Sequence, residues 1–344
     1  MSSGLEMPPF AVVAKALRKT TEHLAAEVVQ SSASPPDWSE LEWAIARSAA
    51  AMQGMSALLA NNLSWDGPPT WRAFLAEQRE QSVLRDARIG ALLAQIDAAA
   101  RERGVACIAL KGAALRTLDL YRRGERPMGD VDLLVANGDL NAIAAAMADI
   151  DYVEAGSTQR HRKYEPRRKV VPHGFGEHID NPLRIEVHTA IAEPLPVRKV
   201  DITERLKRSS AQPGVNNYPD LVSLLLHLLL HAAGNVRAHA LRQVQLHDIA
   251  MVAGLLYERE WSALFEQHHA NESPWWLFPP LALTARYYPT HVPQEVVRAA
   301  RAACPRVLRL ATDRQSLTDV SWSNLRIHAF PGIEWSRTPL DALR

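Results

Sequence analysis

The sequence predicts an α+β protein in which a few short β-strands lie between two helical regions. Two segments, 130–135 and 184–188, alternate apolar with ionisable residues, as strands with one buried face do. The flanking parts instead place apolar side chains at helical spacing and are separated by turn residues. We therefore divide the chain into an N-terminal helical region (1–103), a central core (104–200) and a C-terminal helical region (201–344).

The first hundred residues are expected to be helical because they carry helix start and stop signals. Ser39 and Glu42 have the spacing of a capping box, in which each side chain bonds the other residue's backbone N–H. Pro68 and Pro69 separate two helices. The second runs from about Trp71 to Gly104, since glycine tolerates the left-handed conformation that ends a helix.

The next segment has the order strand, glycine turn, helix. The apolar run 105–110 is expected to form a strand, Lys111 and Gly112 form the turn, and a helix follows over 113–121. Backbone N–H groups at the start of a helix, together with its dipole, attract phosphate. The sequence therefore predicts a phosphate-binding turn at Lys111 and Gly112.

Three carboxylates follow on two predicted strands. Asp130 and Asp132 are two residues apart, so they share one strand face with Cα atoms about 6.6 Å apart. Glu186 occupies the ionisable face of the second strand, and His188 shares that face as a candidate substrate contact. Carboxylate oxygens suit magnesium, and two such ions can stabilise the attacking and leaving oxygens of a phosphoryl displacement.

Each of these features also has a structural interpretation. An Asp-x-Asp pair can be the solvated face of an edge strand, and Glu186 can pair with Arg184 on the surface. Arg126 can cap a helix or pair with Asp130. The combination of the acidic strands with the Lys-Gly turn favours a catalytic site over these alternatives.

The central motifs resemble one known family. The matching pieces, in chain order, are Leu110–Leu115, Arg126, Asp130–Val135 and Glu186–His188. They resemble the uncharacterised nucleotidyltransferase family of the DNA polymerase β superfamily, most strongly between residues 105 and 190. The resemblance implies a small mixed β-sheet of the polymerase β type. It also implies transfer of a nucleoside monophosphate from a nucleoside triphosphate to an acceptor hydroxyl, with release of pyrophosphate.

The resemblance also implies site residues and cofactors. The superfamily usually has serine or glycine after the turn glycine, whereas Ala113 stands here, so backbone N–H groups and Lys111 are left to hold phosphate. Two Mg²⁺ ions are expected, with Mn²⁺ as an alternative, and ATP is the default nucleotide. The implied residues are the catalytic and metal-binding Asp130, Asp132 and Glu186, and the nucleotide-binding Lys111, Gly112, Ala113, Arg126 and His188.

Composition narrows the class of protein. With 344 residues, 47% of them hydrophobic, the chain can bury a sizeable core, and a net charge of +1 argues against nucleic-acid binding through the overall field. The basic stretch 160–169 is either a contact for a polyanion or a solvated hairpin. The apolar run 221–233 is too short to span a bilayer, and residues 1–10 lack a signal pattern, so we expect a cytoplasmic enzyme without a membrane partner.

Two further questions stay open at this point. The acceptor can be a small molecule, a peptide or protein, or an RNA. The alternative function is a non-catalytic protein on the same fold that binds nucleotide or nucleic acid or serves as an interaction partner. His227 and His231 have the i, i+4 spacing of zinc ligands but lack the glutamate of a zinc hydrolase helix, so we interpret them as buried or pocket-edge histidines.

Overall fold

The computed structural model describes residues 8–158, 161–195, 199–207, 211–266, 274–322 and 335. In these ranges the predicted α+β fold is confirmed. A mixed six-stranded sheet lies between N-terminal and C-terminal helices, and a separate two-stranded sheet lies beside it. Within the same ranges, every helix is too short or too polar to reach across a lipid bilayer.

Four helices precede the sheet: α1 (Phe10–Val29), α2 (Glu40–Met52), α3 (Ser56–Asn62) and α4 (Pro69–Glu102). The predicted capping box starts α2, since Ser39 Oγ accepts from Glu42 N at 3.3 Å and Glu42 Oε2 accepts from Ser39 N at 2.8 Å. Gly104 follows the end of α4 with φ +68°, the left-handed conformation expected of a glycine that ends a helix.

The six-stranded sheet contains β1 (Ala106–Ala109), β2 (Asp130–Val135), β3 (Tyr152–Ser157), β4 (His161–Pro166), β5 (Arg184–His188) and β8 (Gly214–Asn216). The two-stranded sheet contains β6 (Ala192–Pro194) and β7 (Lys199–Asp201), which lie between β5 and β8 in the sequence. The spatial order of the six-stranded sheet is β3-β4-β5-β2-β1-β8. The pairs β2–β5 and β1–β8 are parallel, and the other neighbours are antiparallel. The two acid-bearing strands are therefore direct neighbours, and the edge strand β8 comes from beyond residue 200.

The remaining helices are α5 (Lys111–Leu115) and α6 (Leu140–Asp149) within the core, α7 (Thr203–Leu206), and then α8 (Leu221–Arg237), α9 (Gln243–Ala253), α10 (Glu258–Glu266), α11 (Phe278–Tyr287), α12 (Gln294–Ala303) and α13 (Arg306–Thr312). Short 3₁₀ turns lie at Arg116–Leu118, Asn137–Asp139, Trp275–Leu277 and Thr318–Val320.

The two faces of β2 belong to different parts of the core. Val131, Leu133 and Val135 are buried in a cluster with side chains of α4 and α6. Leu134 faces the other way, into the apolar cluster built largely by α8, α9 and α11. Because side chains alternate along a strand, Asp130 and Asp132 share the face of Leu134. The C-terminal helices therefore cover this face of β2 at Leu134, and a cleft remains at the start of the strand, where Asp130 and Asp132 lie.

Candidate active site

A cleft of about 390 Å³ opens where the ionisable face of β2 and β5 meets α8 and the start of α9. Asp130 and Asp132 line it from β2 and Glu186 lines it from β5. Lys111 lines it from the start of α5, and His231 lies on the opposite wall, on α8. The structure thus brings the three predicted acids together with the predicted turn lysine.

Strand register sets the distance between the acids. Asp132 is the direct partner of Glu186 in the parallel pair β2–β5, and Asp130 lies two residues before Asp132 on the same face. Asp132 is buried, while Asp130 is exposed at the mouth of the cleft. Neighbouring strands lie about 4.8 Å apart, so the acidic side chains can reach one shared volume.

The acids differ in how easily they hold a proton. Asp130 is open to solvent on one side but surrounded by protein on the others. Burial and the negative charge of Asp132 therefore raise the pKa of Asp130, and Lys111 lowers it by less. Burial would also raise the pKa of Asp132, but the charge of Lys111 and the hydrogen bond from His188 outweigh it and hold that pKa well below its usual range.

Asp132 is the centre of a hydrogen-bonded group. Its Oδ1 accepts from Lys111 Nζ at 3.0 Å and from His188 Nε2 at 2.9 Å. Because an ionised carboxylate can only accept, the His188 proton lies on Nε2. Both contacts use Oδ1, and among the described residues no hydrogen bond to Oδ2 is found, so this oxygen can accept a cation. His188 therefore orients an acid, which is a different contact from the substrate contact expected from its position on the strand.

Lys111 adopts a left-handed backbone conformation, with φ +46°. Such a conformation costs a non-glycine residue about 1–2 kcal/mol. The Lys111 backbone N–H donates to the Tyr218 hydroxyl at 3.2 Å, and that hydroxyl lies 2.6 Å from Nδ1 of the buried His227. A buried network from α8 and the segment before it therefore helps to hold the turn. The interpretation of His227 as a buried residue is confirmed.

The helix after the turn is shorter than the predicted span 113–121. It occupies Lys111–Leu115, continues as a 3₁₀ turn to Leu118, and stops where Asp119 takes a left-handed φ of +53°. The Ala113 N–H donates to the carbonyl of Leu110 at 3.1 Å. A phosphate contact from this N–H would require that bond to exchange.

Gly112 is tightly enclosed. A Cβ atom placed on it would lie 2.4 Å from Arg126 Nη1 and 2.5 Å from Met128 Sδ. Only glycine leaves room for the turn to approach these side chains.

Arg126 is held by an acid that the sequence analysis did not assign to it. Its Nε and Nη2 donate to the two oxygens of Asp248 at 2.7 and 2.6 Å, and the Tyr121 hydroxyl donates to the same carboxylate at 2.6 Å. The Arg126 and Asp248 side chains are 14% and 2% exposed. The guanidinium therefore joins the segment before β2 to α9. Its Nη1 lies against Gly112, so Arg126 borders the predicted phosphate turn while its main partner is Asp248.

Glu186 lies beside basic side chains of the neighbouring strand β4. Lys163 Nζ is 3.2 Å from Glu186 Oε1, and His161 Nε2 is 3.5 Å from Oε2. Burial lowers the pKa of His161, and the charge of Glu186 opposes this shift. His161 and Lys163 belong to the basic stretch 160–169, of which residue 160 lies outside the described residues. The spacing of these two residues is visible in the sequence. Residues 161 and 163 are two positions apart, so they share one face of β4.

Two further charged residues, Arg242 and Glu177, line the cleft, and neither belongs to a motif that the sequence revealed. Arg242 precedes α9, and no carboxylate of the described chain forms an ion pair with its guanidinium. Burial and the charge of Arg126 lower the pKa of Arg242. Glu177 forms an ion pair of 2.7 Å with the buried Arg85 of α4, and burial raises the pKa of Glu177. Their positions depend on chain segments far from the strands.

A second cavity, of about 320 Å³, lies on the other side of Gly112 and Arg126. It is lined by Arg116, Arg122 and Arg123 and contains none of the three acids of the cleft. Of these two cavities, the first is the one that brings the three predicted acids together.

Comparison with known proteins identifies the family. The family model described as an uncharacterised nucleotidyltransferase matches residues 39–289, which include α2 to α11 and the whole cleft. No curated protein and no solved structure matches the sequence. The matched range covers most of the chain and contains the acids, the Lys-Gly turn and the ion pair of Arg126 with Asp248, which we call the arginine clamp. The chain therefore belongs to the uncharacterised nucleotidyltransferase family, and the protein is an enzyme of nucleotidyl transfer.

Proposed function

We propose that the enzyme uses magnesium to transfer a nucleoside monophosphate from a nucleoside triphosphate, ATP by default, to an acceptor hydroxyl, with release of pyrophosphate. One observation carries this proposal. Asp130, Asp132 and Glu186 share one face of the parallel pair β2–β5 and open into a single cleft beside Lys111. Such a set of acids next to a cationic turn suits a metal-bound triphosphate.

The donor set fits magnesium. Asp130, Asp132 and Glu186 would hold two such ions through carboxylate oxygens, the ligands that this hard cation prefers. The raised pKa of Asp130 is consistent with the fit, because after burial the charges of Asp132 and Glu186 contribute to it and Lys111 offsets them only in part. When bound, magnesium supplies Lewis-acid stabilisation of the charge on the α-phosphate and on the attacking and leaving oxygens.

The charges of the cleft support a complex of this composition. The three acids contribute three negative charges. Lys111 and Lys163, each paired with one of them, and the unpaired Arg242 contribute three positive charges from the described residues. A nucleoside triphosphate adds roughly four negative charges, and two divalent cations add the same number of positive ones. The complex would then carry about the same net charge as the free cleft, so binding would not accumulate uncompensated charge.

Two basic side chains are suited to the phosphates. Lys111 Nζ lies on Asp132 in the free protein, and after a cation neutralises this acid it can turn to the departing pyrophosphate. Arg242 faces the cleft without an ion-pair partner in the described chain, so its guanidinium is available for a bidentate phosphate contact. Glu186 serves either as a metal ligand or as the base that takes the proton of the acceptor hydroxyl.

The acceptor class can be tested through the stretch 160–169. Arg167, Arg168 and Lys169 follow β4 and are exposed. A polyanionic acceptor such as RNA would contact them, whereas a small-molecule acceptor would not. Replacement of Arg168 and Lys169 by alanine is therefore expected to weaken transfer only when the acceptor is a polyanion.

The function is tested by incubating the purified protein with each labelled nucleoside triphosphate, Mg²⁺ and cell extract, followed by mass spectrometry of whatever becomes labelled. We expect transfer in the wild type, none after chelation of the metal, and a loss of about 100-fold or more in Asp130→Asn and Asp132→Asn. Asp149→Asn, on the surface at the end of α6, is the control and should retain full activity. Full transfer by Asp132→Asn would refute the proposal.

A further inference from the structure

Two imidazole rings converge on one oxygen of Glu186. His161 Nε2 lies 3.5 Å from Oε2, and His188 Nε2 lies 3.9 Å from the same atom. The other oxygen, Oε1, is held by Lys163 Nζ at 3.2 Å. The lysine thus leaves Oε2 between the two rings. One ligand atom of each of these three residues lies within 4.8 Å of the other two.

The two nitrogens of the His161 ring have different neighbours. Nδ1 lies 3.4 Å from the Thr158 hydroxyl, a group that can accept a proton from Nδ1 or donate one to it. Nε2 is buried and makes no hydrogen bond within the described part of the chain. When the proton is on Nδ1, the Nε2 lone pair and the Glu186 carboxylate face each other as two electron donors. Such an arrangement is that of two ligands of one cation, with Thr158 orienting the ring as outer-shell partners of metal-binding histidines do.

From this geometry we propose that His161, Glu186 and His188 bind one divalent transition-metal ion. The inference rests on the proposed function, since Glu186 also belongs to the proposed magnesium cluster. It assigns a transition-metal ion, instead of magnesium, to the end of the cleft at Glu186. Two imidazoles and a carboxylate suit zinc, manganese, iron or cobalt, whereas magnesium prefers oxygen ligands. Asp130 and Asp132 would then hold magnesium.

The observed separations are close to those that such an ion needs. With metal–ligand distances of about 2.0–2.2 Å, ligand atoms of a tetrahedral or octahedral site lie roughly 3.0–3.5 Å apart. The distance from His161 to Glu186 already has this value, and that from His188 is longer by a few tenths of an ångström. His188 Nε2 donates to Asp132 in the free protein, so coordination at this nitrogen releases that proton.

A second histidine cluster has to be removed before the proposal is tested. His173, His178 and Asp180 lie together in the segment between β4 and β5 and also offer three ligand atoms. The cluster lies largely on the surface and outside the cleft. The double variant His173→Ala/His178→Ala therefore serves as the background, because any metal it binds cannot be held by these two imidazoles.

The test is a titration of this full-length, metal-stripped protein with Co²⁺ in excess Mg²⁺, followed by the visible absorption of bound Co²⁺ and by calorimetry. We expect one Co²⁺ per chain, held by nitrogen ligands. His161→Ala, His161→Gln and His188→Gln should each weaken its binding by about 100-fold or more. His161→Gln preserves the size of the side chain, and an unchanged thermal unfolding midpoint excludes loss of the fold as the cause.

Equal Co²⁺ affinity in the background protein and its His161→Gln derivative would overturn the inference, as would displacement of Co²⁺ by Mg²⁺ without preference. Nucleotide transfer measured on the same preparations separates the two proposals. Transfer without histidine-dependent Co²⁺ binding contradicts only the transition-metal site, whereas histidine-dependent Co²⁺ binding without transfer contradicts only the proposed function.

Discussion

Substitution of Asp248 by asparagine measures how strongly the arginine clamp holds the site together. Asp248 lies in the middle of α9 and binds both Nε and Nη2 of Arg126 at 2.6–2.7 Å, and it accepts a third hydrogen bond from Tyr121. Asparagine keeps the shape and one acceptor oxygen but removes the charge. The variant therefore leaves a guanidinium that is only 14% exposed without its counter-ion.

The expected cost follows from burial. Removal of one partner of a buried ion pair destabilises a protein by about 3–5 kcal/mol, because the remaining charge is left uncompensated. Asparagine retains part of the hydrogen bonding, and Asp130 lies near enough to Arg126 to favour its charged form. We therefore expect the lower end of this range, about 3 kcal/mol.

A matched pair on the surface supplies the control. Arg103 donates to both oxygens of Asp149 at 2.9 Å each, but the two side chains are 44% and 37% exposed. Asp149→Asn should cost less than about 1 kcal/mol, because solvent screens this pair. Urea unfolding of the wild type and both variants measures the difference. Equal losses below 1 kcal/mol in the two variants would refute the reasoning from burial.

Three further predictions concern the turn, the phosphates and pH. Gly112→Ala should lower the free energy of unfolding by about 1–3 kcal/mol and impair nucleotide transfer, since the added Cβ would clash with Arg126. Gly138→Ala is the control, because its Cβ would meet nothing within 4 Å, and it should change neither the stability nor the transfer. Arg242→Gln should raise the KM for the triphosphate about 10- to 100-fold, the value of a charged hydrogen bond, and unchanged kinetics would exclude a phosphate contact. Burial lowers the pKa of His247 to about 4, so the neutral ring is favoured on folding. The contribution of His247 to the free energy of unfolding should then be fully present above about pH 6.5 and fall by about 3 kcal/mol towards pH 4. His247→Gln should remove this part of the pH dependence in urea titrations.

Much of the core was predictable because strand and turn patterns are local. The alternation at 130–135 and 184–188 put the acids and the apolar residues on opposite faces, and β2 and β5 have those faces. The capping box at Ser39 and the left-handed Gly104 were likewise visible, since each depends on a few neighbouring residues. The predicted helix over 113–121 was too long, because nothing in its composition marked Asp119 as left-handed.

The partners of the site residues could not be predicted in the same way. Arg126 meets Asp248 across 122 positions of sequence, and Glu177 meets Arg85 across 92, so each pair exists only because α9 or α4 packs where it does. Pairing of β4 with β5 decided that His161 and Lys163 flank Glu186. A basic stretch read alone does not reveal which acid it will meet.

The sequence by itself therefore determined which acidic and basic side chains are present and which face of each strand they occupy. Residue type decides the first, and the two-residue period of a strand decides the second. Only the tertiary structure decided that β2 lies parallel to β5, that α8 and α9 close the cleft, and which charges neutralise each other within it. Those contacts depend on long-range packing, in which residues distant along the chain become neighbours when the apolar faces of the helices and the sheet are buried together.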